Sequence, residues 1–391
     1  MNLKGRRIYV TGSVSPQSDE GQLARVHDIV RELTTSMATQ GAIFTAPFGG
    51  EPRIEGRTDG PSIIFDWTII TTLYDLLKAG KITPRGPNGR LIATVSINKN
   101  GETDPKIPDE RKNIYKELRT ANAITLEVLP EGWTAGAIRR QSLARLSDIM
   151  IGISGGQGAE HSAFEFSVHG KPVIPLDLKM GSSSNDGSGG CGRMFGNALA
   201  KPDDFFSVMP TESASDLLDR TRTENGKKDP AEVAESIVNL LRALTPPLVF
   251  YVRLMNPTLP ESPHVEKFFR NTVDTVVRDL GFEPYQVNIA KTTKAWINQA
   301  IFDALHHCAV VVADITAERP NCFVELGYAF GNGQKVILTA RRGTHSPFDI
   351  NPIETFIWDE NDDPAEQIKN FRVHWERNID MPKLVNPRHA K

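Results

Sequence analysis

Only three cysteines occur in the 391 residues, Cys191, Cys308 and Cys322, and they share no close metal-ligand spacing. That excludes a disulfide-stapled scaffold and most zinc modules, and it fits a reducing, cytoplasmic setting. Charge of either sign is not in excess: 45 basic against 48 acidic residues leave a net charge of −3. A general nucleic-acid binder needs a basic surplus, so no nucleic-acid partner is expected, although a local basic pocket stays compatible with the balance. Long apolar runs are also missing. The best stretch, 240–255, is interrupted by Arg242, Pro246, Pro247 and Arg253. It falls short of the ~18 apolar residues that mark a membrane span, so no membrane partner is expected. The start, MNLKGRRIYVTGS, has no signal-peptide core. No HExxH, Walker A or zinc pattern occurs, and neither a metal nor a cofactor is expected.

Glycine and proline are plentiful, at 31 and 26 residues, which favours a loop-rich α/β chain over a helical bundle. Strand-like runs alternate with helical periodicity. RRIYVTG (6–12) is followed by Leu23, Val26, Val30, Leu33 and Met37 on one helix face. AIFTA (42–46), RLIATVSI (90–97), ITLEV (124–128), DIMIGIS (148–154) and KPVIPL (171–176) continue the pattern, with helices between them. Residues 181–192, GSSSNDGSGGCG, read as a surface loop or a lid. A second series opens with LVFYVRL (248–254), continues through a helix from Ser262 to Leu280, a helix near Trp296 to Leu305, AVVVA (309–313) and KVILTA (335–340), and ends in a helix near 364–378. The expectation is two Rossmann-like or flavodoxin-like, doubly wound parallel-sheet domains. They are placed at 1–212 and 247–391, joined by a 213–246 linker whose amphipathic helix packs on one domain.

Glycine-rich turns end three of the first domain's strands: Gly12-Ser13, Gly49-Gly50 after Pro47, and Gly155-Gly156-Gln157-Gly158 before a helix carrying Glu165. At one edge of a parallel sheet they would form a crevice in which backbone N–H groups meet a phosphate. Arg139 and Arg140, on the preceding helix, could reach it. The alternative is that the glycines merely turn the chain and the arginines face solvent. The strand–Gly-Ser turn, the second glycine turn and "DIMIGISGGQG…E…GKPVIPL" resemble the SLOG superfamily over about 5–210. In the related phosphoribohydrolases a proline precedes the two glycines and Gly-Thr-x-x-Glu follows. Here Ser154 and Ala159 stand at the proline and threonine positions, and Glu165 comes three residues late. The resemblance implies a domain that binds a signal nucleotide rather than a glycosidase.

In the second series, VVVADITAERPNCFVELGYAFGNGQKVILTA (310–340) puts Asp314 at a strand end and Glu325 in the next helix. With Asn321 as cap, Glu325 would be the fourth helical residue, near the sheet edge where open α/β folds bind ligands. A glutamate there can attack or stabilise an anomeric carbon, or it can simply complement the helix dipole. This segment with SPFDI (346–350) resembles TIR-like domains of bacterial effectors and nucleoside 2-deoxyribosyltransferases over about 248–360. The resemblance implies Glu325 as the catalytic carboxylate, with Tyr251, Arg253, Asp314, Asn321 and Asp349 around the substrate. ERPN stands where the deoxyribosyltransferases have a DPGT-type loop, which favours the TIR-like reading.

Together the two resemblances imply a nucleotide-activated NAD+ hydrolase of antiphage defence. Its N-terminal domain would bind a cyclic nucleotide or an ADP-ribose-derived signal, and activation would go with homo-oligomer formation. NAD+ would be a substrate, not a cofactor. The alternatives are a deoxyribosyltransferase-like nucleotide hydrolase and a non-catalytic nucleotide-binding signalling module.

Overall fold

The computed structural model describes residues 2–84, 91–97, 107–130, 132, 135–180, 189–223, 228–286, 297–350 and 352–379. Most of the expected loop 181–192 and Trp296 lie outside the described residues. The chain divides into two compact units, Met1–Thr245 and Pro246–Lys391.

The first unit alternates strands with helices: β1 (Arg7–Ser13), α1 (Glu20–Thr39), β2 (Ile43–Pro47), α2 (Asp66–Lys78), β3 (Leu91–Ile97), α3 (Asp109–Thr120), β4 (Ile124–Pro130), α4 (Ala135–Leu146), β5 (Ile149–Ser154), α5 (Gln157–Val168) and β6 (Val173–Leu176). Three more helices follow, α6 (Gly190–Ala200), α7 (Ala214–Arg220) and α8 (Pro230–Ala243). The sheet order is β4-β3-β2-β1-β5-β6, and its pairings are parallel. The central strands β1 and β5 are apolar because helices cover both faces. Asp19 caps α1 by accepting the Gln22 N–H at 2.8 Å, and the expected apolar face of α1 is buried.

Of the segment expected to link the domains, residues up to Thr245 fall in the first unit and Pro246 in the second, and its amphipathic helix packs on the first unit. Val233, Ile237, Leu240 and Leu241 of α8 are buried in the same core as Leu23, Val30 and Leu33 of α1. Each such side chain contributes about 1.5–3 kcal/mol when removed from water, so the amphipathic face of α8 binds it firmly.

The second unit contains β7 (Leu248–Val252), α9 (Ser262–Phe268), α10 (Asp274–Asp279), β8 (Glu283–Tyr285), α11 (Ile297–His307), β9 (Val310–Asp314), α12 (Pro320–Gly331), β10 (Val336–Arg341), β11 (Thr355–Trp358) and α13 (Pro364–Asn378). Its sheet is also parallel, in the order β11-β10-β9-β7-β8. Counted within the unit, this is the flavodoxin-like order, with the switch point between β7 and β9. A π-helical turn, Phe269–Val273, joins α9 to α10 where the sequence reads as one continuous helix. The wider turn accompanies two consecutive buried aromatics, Phe268 and Phe269. Both units are therefore α/β, as the alternating pattern implies. No described helix is long and apolar enough to cross a membrane.

Candidate functional site

In the first unit, strand order reverses between β1 and β5, and a cavity of about 720 Å³ opens there. β1 supplies Tyr9, Thr11, Gly12 and Ser13; α5 and its cap supply Gly156, Gln157, Gly158 and Ser162; α4 supplies Arg139 and Arg140; Pro47 and Asp66 also line it. The floor is tight. The Gly155 N–H donates to the Ser13 carbonyl at 2.6 Å, and both Ser154 (φ 52°) and Gly155 (φ 76°) are left-handed. A non-glycine residue such as Ser154 is strained there, which is typical of a turn that aims backbone at a ligand.

The cavity lining combines two arginines with one carboxylate. Arg140 lies at the start of α5: its Nη1 would be 3.9 Å from a Cβ on Gly158, and its Nε donates to His161 Nδ1 at 2.9 Å. His161 Nε2 in turn meets Glu165 Oε1 at 3.2 Å. A helix N-terminus beside a guanidinium is chemically suited to hold an anion. Asp66, the first residue of α2, lines the same cavity and feels the Arg139 charge. Burial pushes its carboxyl up to about 7, against the pull of Arg139. Burial and the nearby Asp66 charge raise the Tyr9 hydroxyl to about 12.

Of the residues expected in this crevice, Gly12, Ser13, Arg139, Arg140, Gly156 and Gly158 line it. Gly155 is not among the lining residues but bonds to Ser13, which is, and Glu165 is tied to Arg140 through His161. Gly49 and Gly50 are not among the lining residues; the Gly49 carbonyl accepts the Trp67 indole N–H at 2.8 Å. Sequence reasoning missed Asp66, Tyr9 and Thr11. Asp66 is flanked by Ile64, Phe65 and Trp67, and a carboxylate inside so apolar a run was the available signal.

In the second unit, Asp314 ends β9 fully buried. It accepts from the Thr316 N–H at 3.0 Å, the Thr339 hydroxyl at 2.8 Å and the Trp358 indole at 2.8 Å. It ties β9, β10 and β11 together at their C-terminal edge. The loop beyond it holds two consecutive left-handed non-glycine residues, Ala317 (φ 64°) and Glu318 (φ 48°). Each costs of order 1–3 kcal/mol, strain that clusters at functional sites. Pro320 then starts α12, with Arg319 as the cap. Asn321 is the second helical residue, not the cap, because proline is pre-shaped for the first position; Glu325 therefore lies later in the helix than expected. Glu325 is half-buried, and burial holds its carboxyl above the usual range. Its charge adds to burial in raising the Cys322 thiol to about 12, so that thiol is no nucleophile.

The structure does not gather the other expected residues around Glu325: Tyr251 is buried with Phe269 on one face of the sheet, whereas α12 packs on the other with Phe250 and Val252, and the Tyr251 hydroxyl donates to Asp274 at 2.7 Å. Arg253 donates to Glu266 at 2.6 Å and Gln286 at 3.2 Å and stacks on Phe269. Asn321 and Asp349 are exposed. Thus Asp314, Tyr251 and Arg253 are held by partners within the unit, whereas Glu325 has no hydrogen-bond partner among the described residues. No metal-binding cluster occurs among the described residues.

Residues 3–241 match the family described as "ATP nucleosidase Cap17-like, N-terminal". The chain belongs to this Cap17-like N-terminal family. ATP nucleosidase Cap17 of Escherichia coli strain KTE188 is 24% identical over 242 residues, 62% of this chain and 45% of that protein. A second Cap17 from Escherichia coli matches to the same extent. The match spans under half the length of these relatives. The CMP N-glycosidase BcmB of Clostridium botulinum aligns with a TM-score of 0.25 and 15% identity, covering 32% of this chain and 98% of its own. The Cap17-like match coincides with the first unit, and β7 onward lies beyond it.

Proposed function

We propose that this chain is a nucleotide-responsive hydrolase of N-glycosidic bonds. In this reading the first unit holds a signal nucleotide, and the second cleaves NAD+ to nicotinamide and ADP-ribose. The observation that carries the reading is Glu325: a half-buried carboxylate without a hydrogen-bond partner among the described residues, on the helix that follows a strained loop at the sheet's C-terminal edge. The resemblance of 310–340 to TIR-like and deoxyribosyltransferase sequences supports that role. The resemblance of the first unit to SLOG domains supports signal binding. Antiphage defence is the context that both resemblances imply.

In the reaction, the C1′–N bond of the nicotinamide riboside breaks and its electron pair leaves with the ring nitrogen. Glu325 in its ionised form stabilises the positive charge developing at C1′ or bonds to it. Water then adds at C1′ and loses a proton. Occupation of the first unit would favour an assembled, active form, so specific activity should rise with protein concentration and with the signal.

A second reading is favoured by Asp66 and by the Cap17 names: the first unit's cavity is itself the nucleosidase site. One experiment separates them. Full-length wild type, Glu325→Gln and Asp66→Asn are incubated with NAD+ or ATP, with and without cyclic nucleotides, and free nicotinamide and adenine are quantified. Loss of nicotinamide release with Glu325→Gln supports the first reading. Adenine release that survives Glu325→Gln but not Asp66→Asn supports the second.

A further inference from the structure

The first unit's cavity is lined by four titratable or charged side chains: Tyr9 on β1, Asp66 on α2, and Arg139 and Arg140 on α4. Three of them suit an anion. Asp66 does not, and among the described residues its carboxyl accepts no hydrogen bond. A lone carboxylate facing a phosphate site would repel the ligand. It is useful only if the ligand brings a donor to it.

Resting on the reading of this unit as a nucleotide holder, we propose that Asp66 selects the ligand. It accepts a hydrogen bond from a sugar hydroxyl or a base amine of a nucleotide whose phosphate sits at the start of α5. Arg140 lies against Gly158 at the start of α5, and Asp66 lines the same cavity, where its charge raises the Tyr9 phenol while Arg139 and Arg140 lower it. A cavity of about 720 Å³ is ample for a nucleotide spanning the two. A site built to accept from a donor group penalises an analogue that lacks it, because the desolvated carboxylate is then left unpaired.

The Asp66 carboxyl titrates near 7 in the empty cavity, since burial outweighs Arg139. A donor from the ligand favours the ionised form, so binding at pH 7 should expel part of a proton. A ligand anion acting on Asp66 directly would do the reverse and draw a proton in.

The test is calorimetry on the full chain with ATP, 2′-deoxy-ATP and inosine triphosphate. Each is titrated at pH 7 in buffers of different ionisation enthalpy, into wild type and Asp66→Asn. ATP should bind wild type about tenfold to a hundredfold more tightly than one of the two analogues. Weak 2′-deoxy-ATP identifies the sugar hydroxyl as the donor, and weak inosine triphosphate the base amine. In Asp66→Asn the preference should shrink to within about threefold, and wild type should release more protons than the variant. Proton uptake by wild type, or equal preference in both proteins, overturns the proposal. Should the variant fail to fold, the wild-type proton count and analogue preference still decide. If neither these three nucleotides nor cyclic nucleotides bind either protein, the nucleotide-holding reading fails, and the role of Asp66 fails with it; if only cyclic nucleotides bind, and Asp66→Asn binds them as wild type does, the role of Asp66 alone fails.

Discussion

Gly12 packs against Ile153 so closely that a Cβ on Gly12 would stand 1.8 Å from the Ile153 carbonyl oxygen. Gly12 also has φ +147°. The residue is thus required by the β1–β5 contact as well as by any ligand above it. Gly12→Ala must push apart the two central strands and should destabilise the first unit by about 4 kcal/mol or more. Gly49→Ala, where a Cβ meets nothing within 4 Å, should stay within about 0.5 kcal/mol of wild type. Urea unfolding of both variants checks the contrast; equal stability would mean that the strands yield easily at Gly12.

The apolar face of α8 sets the true boundary of the first unit. A fragment ending at residue 212 leaves Leu23, Val30 and Leu33 of α1 without Val233, Ile237 and Leu241 over them. That fragment should aggregate or lose cooperative unfolding, whereas 1–245 should fold. Within 1–245, Ile237→Ala should cost about 2–5 kcal/mol. Circular dichroism and gel filtration of the two fragments decide; a well-folded 1–212 would return α8 to the status of a linker.

Much of this was legible in the sequence because it is local. The apolar runs of β1, β5 and β9 and the apolar face of α1 follow from sequence pattern alone. The crevice was legible too, since Gly12 and Gly156–Gly158 mark strand ends. What was hidden is non-local. Asp66 lies 19 residues beyond Pro47 yet lines the same cavity. Nothing in the local pattern tells that Tyr251 spends its hydroxyl on Asp274, or that Asp314 is taken up by Thr339 and Trp358. The π-helical turn at Phe269 and the start of α12 at Pro320 were set by packing and by proline geometry, which outweigh capping preference.

Asp66 should leave a mark on stability. Its carboxyl is raised from 3.8 to about 7 in the folded protein, so between those values the native state holds a proton that the unfolded chain has lost. Its contribution is therefore fully present below the unfolded value and is lost as pH rises toward 7. Asp66→Asn removes that slope. The melting temperature of the variant relative to ligand-free wild type should climb from about pH 4 to about pH 7 and then level off. A pH-independent difference would show that Asp66 titrates normally.

Arg140 should govern affinity for the anion. It stands at the start of α5 with its Nε anchored on His161. Arg140→Ala should weaken ATP binding about tenfold to a hundredfold, the worth of a charge-assisted hydrogen bond, with little change in melting temperature. Unaltered affinity would place the phosphate elsewhere.

Whether Glu325 performs the proposed cleavage is tested most directly by nicotinamide release from full-length Glu325→Gln. The amide preserves shape and cannot supply negative charge to C1′. With an activating cyclic nucleotide present and protein at concentrations where wild type is fully active, turnover of NAD+ should fall by about 10³-fold or more, several kcal/mol of transition-state stabilisation. The melting temperature and nucleotide affinity of the first unit should be unchanged. Wild-type rates of nicotinamide release in Glu325→Gln would contradict the account.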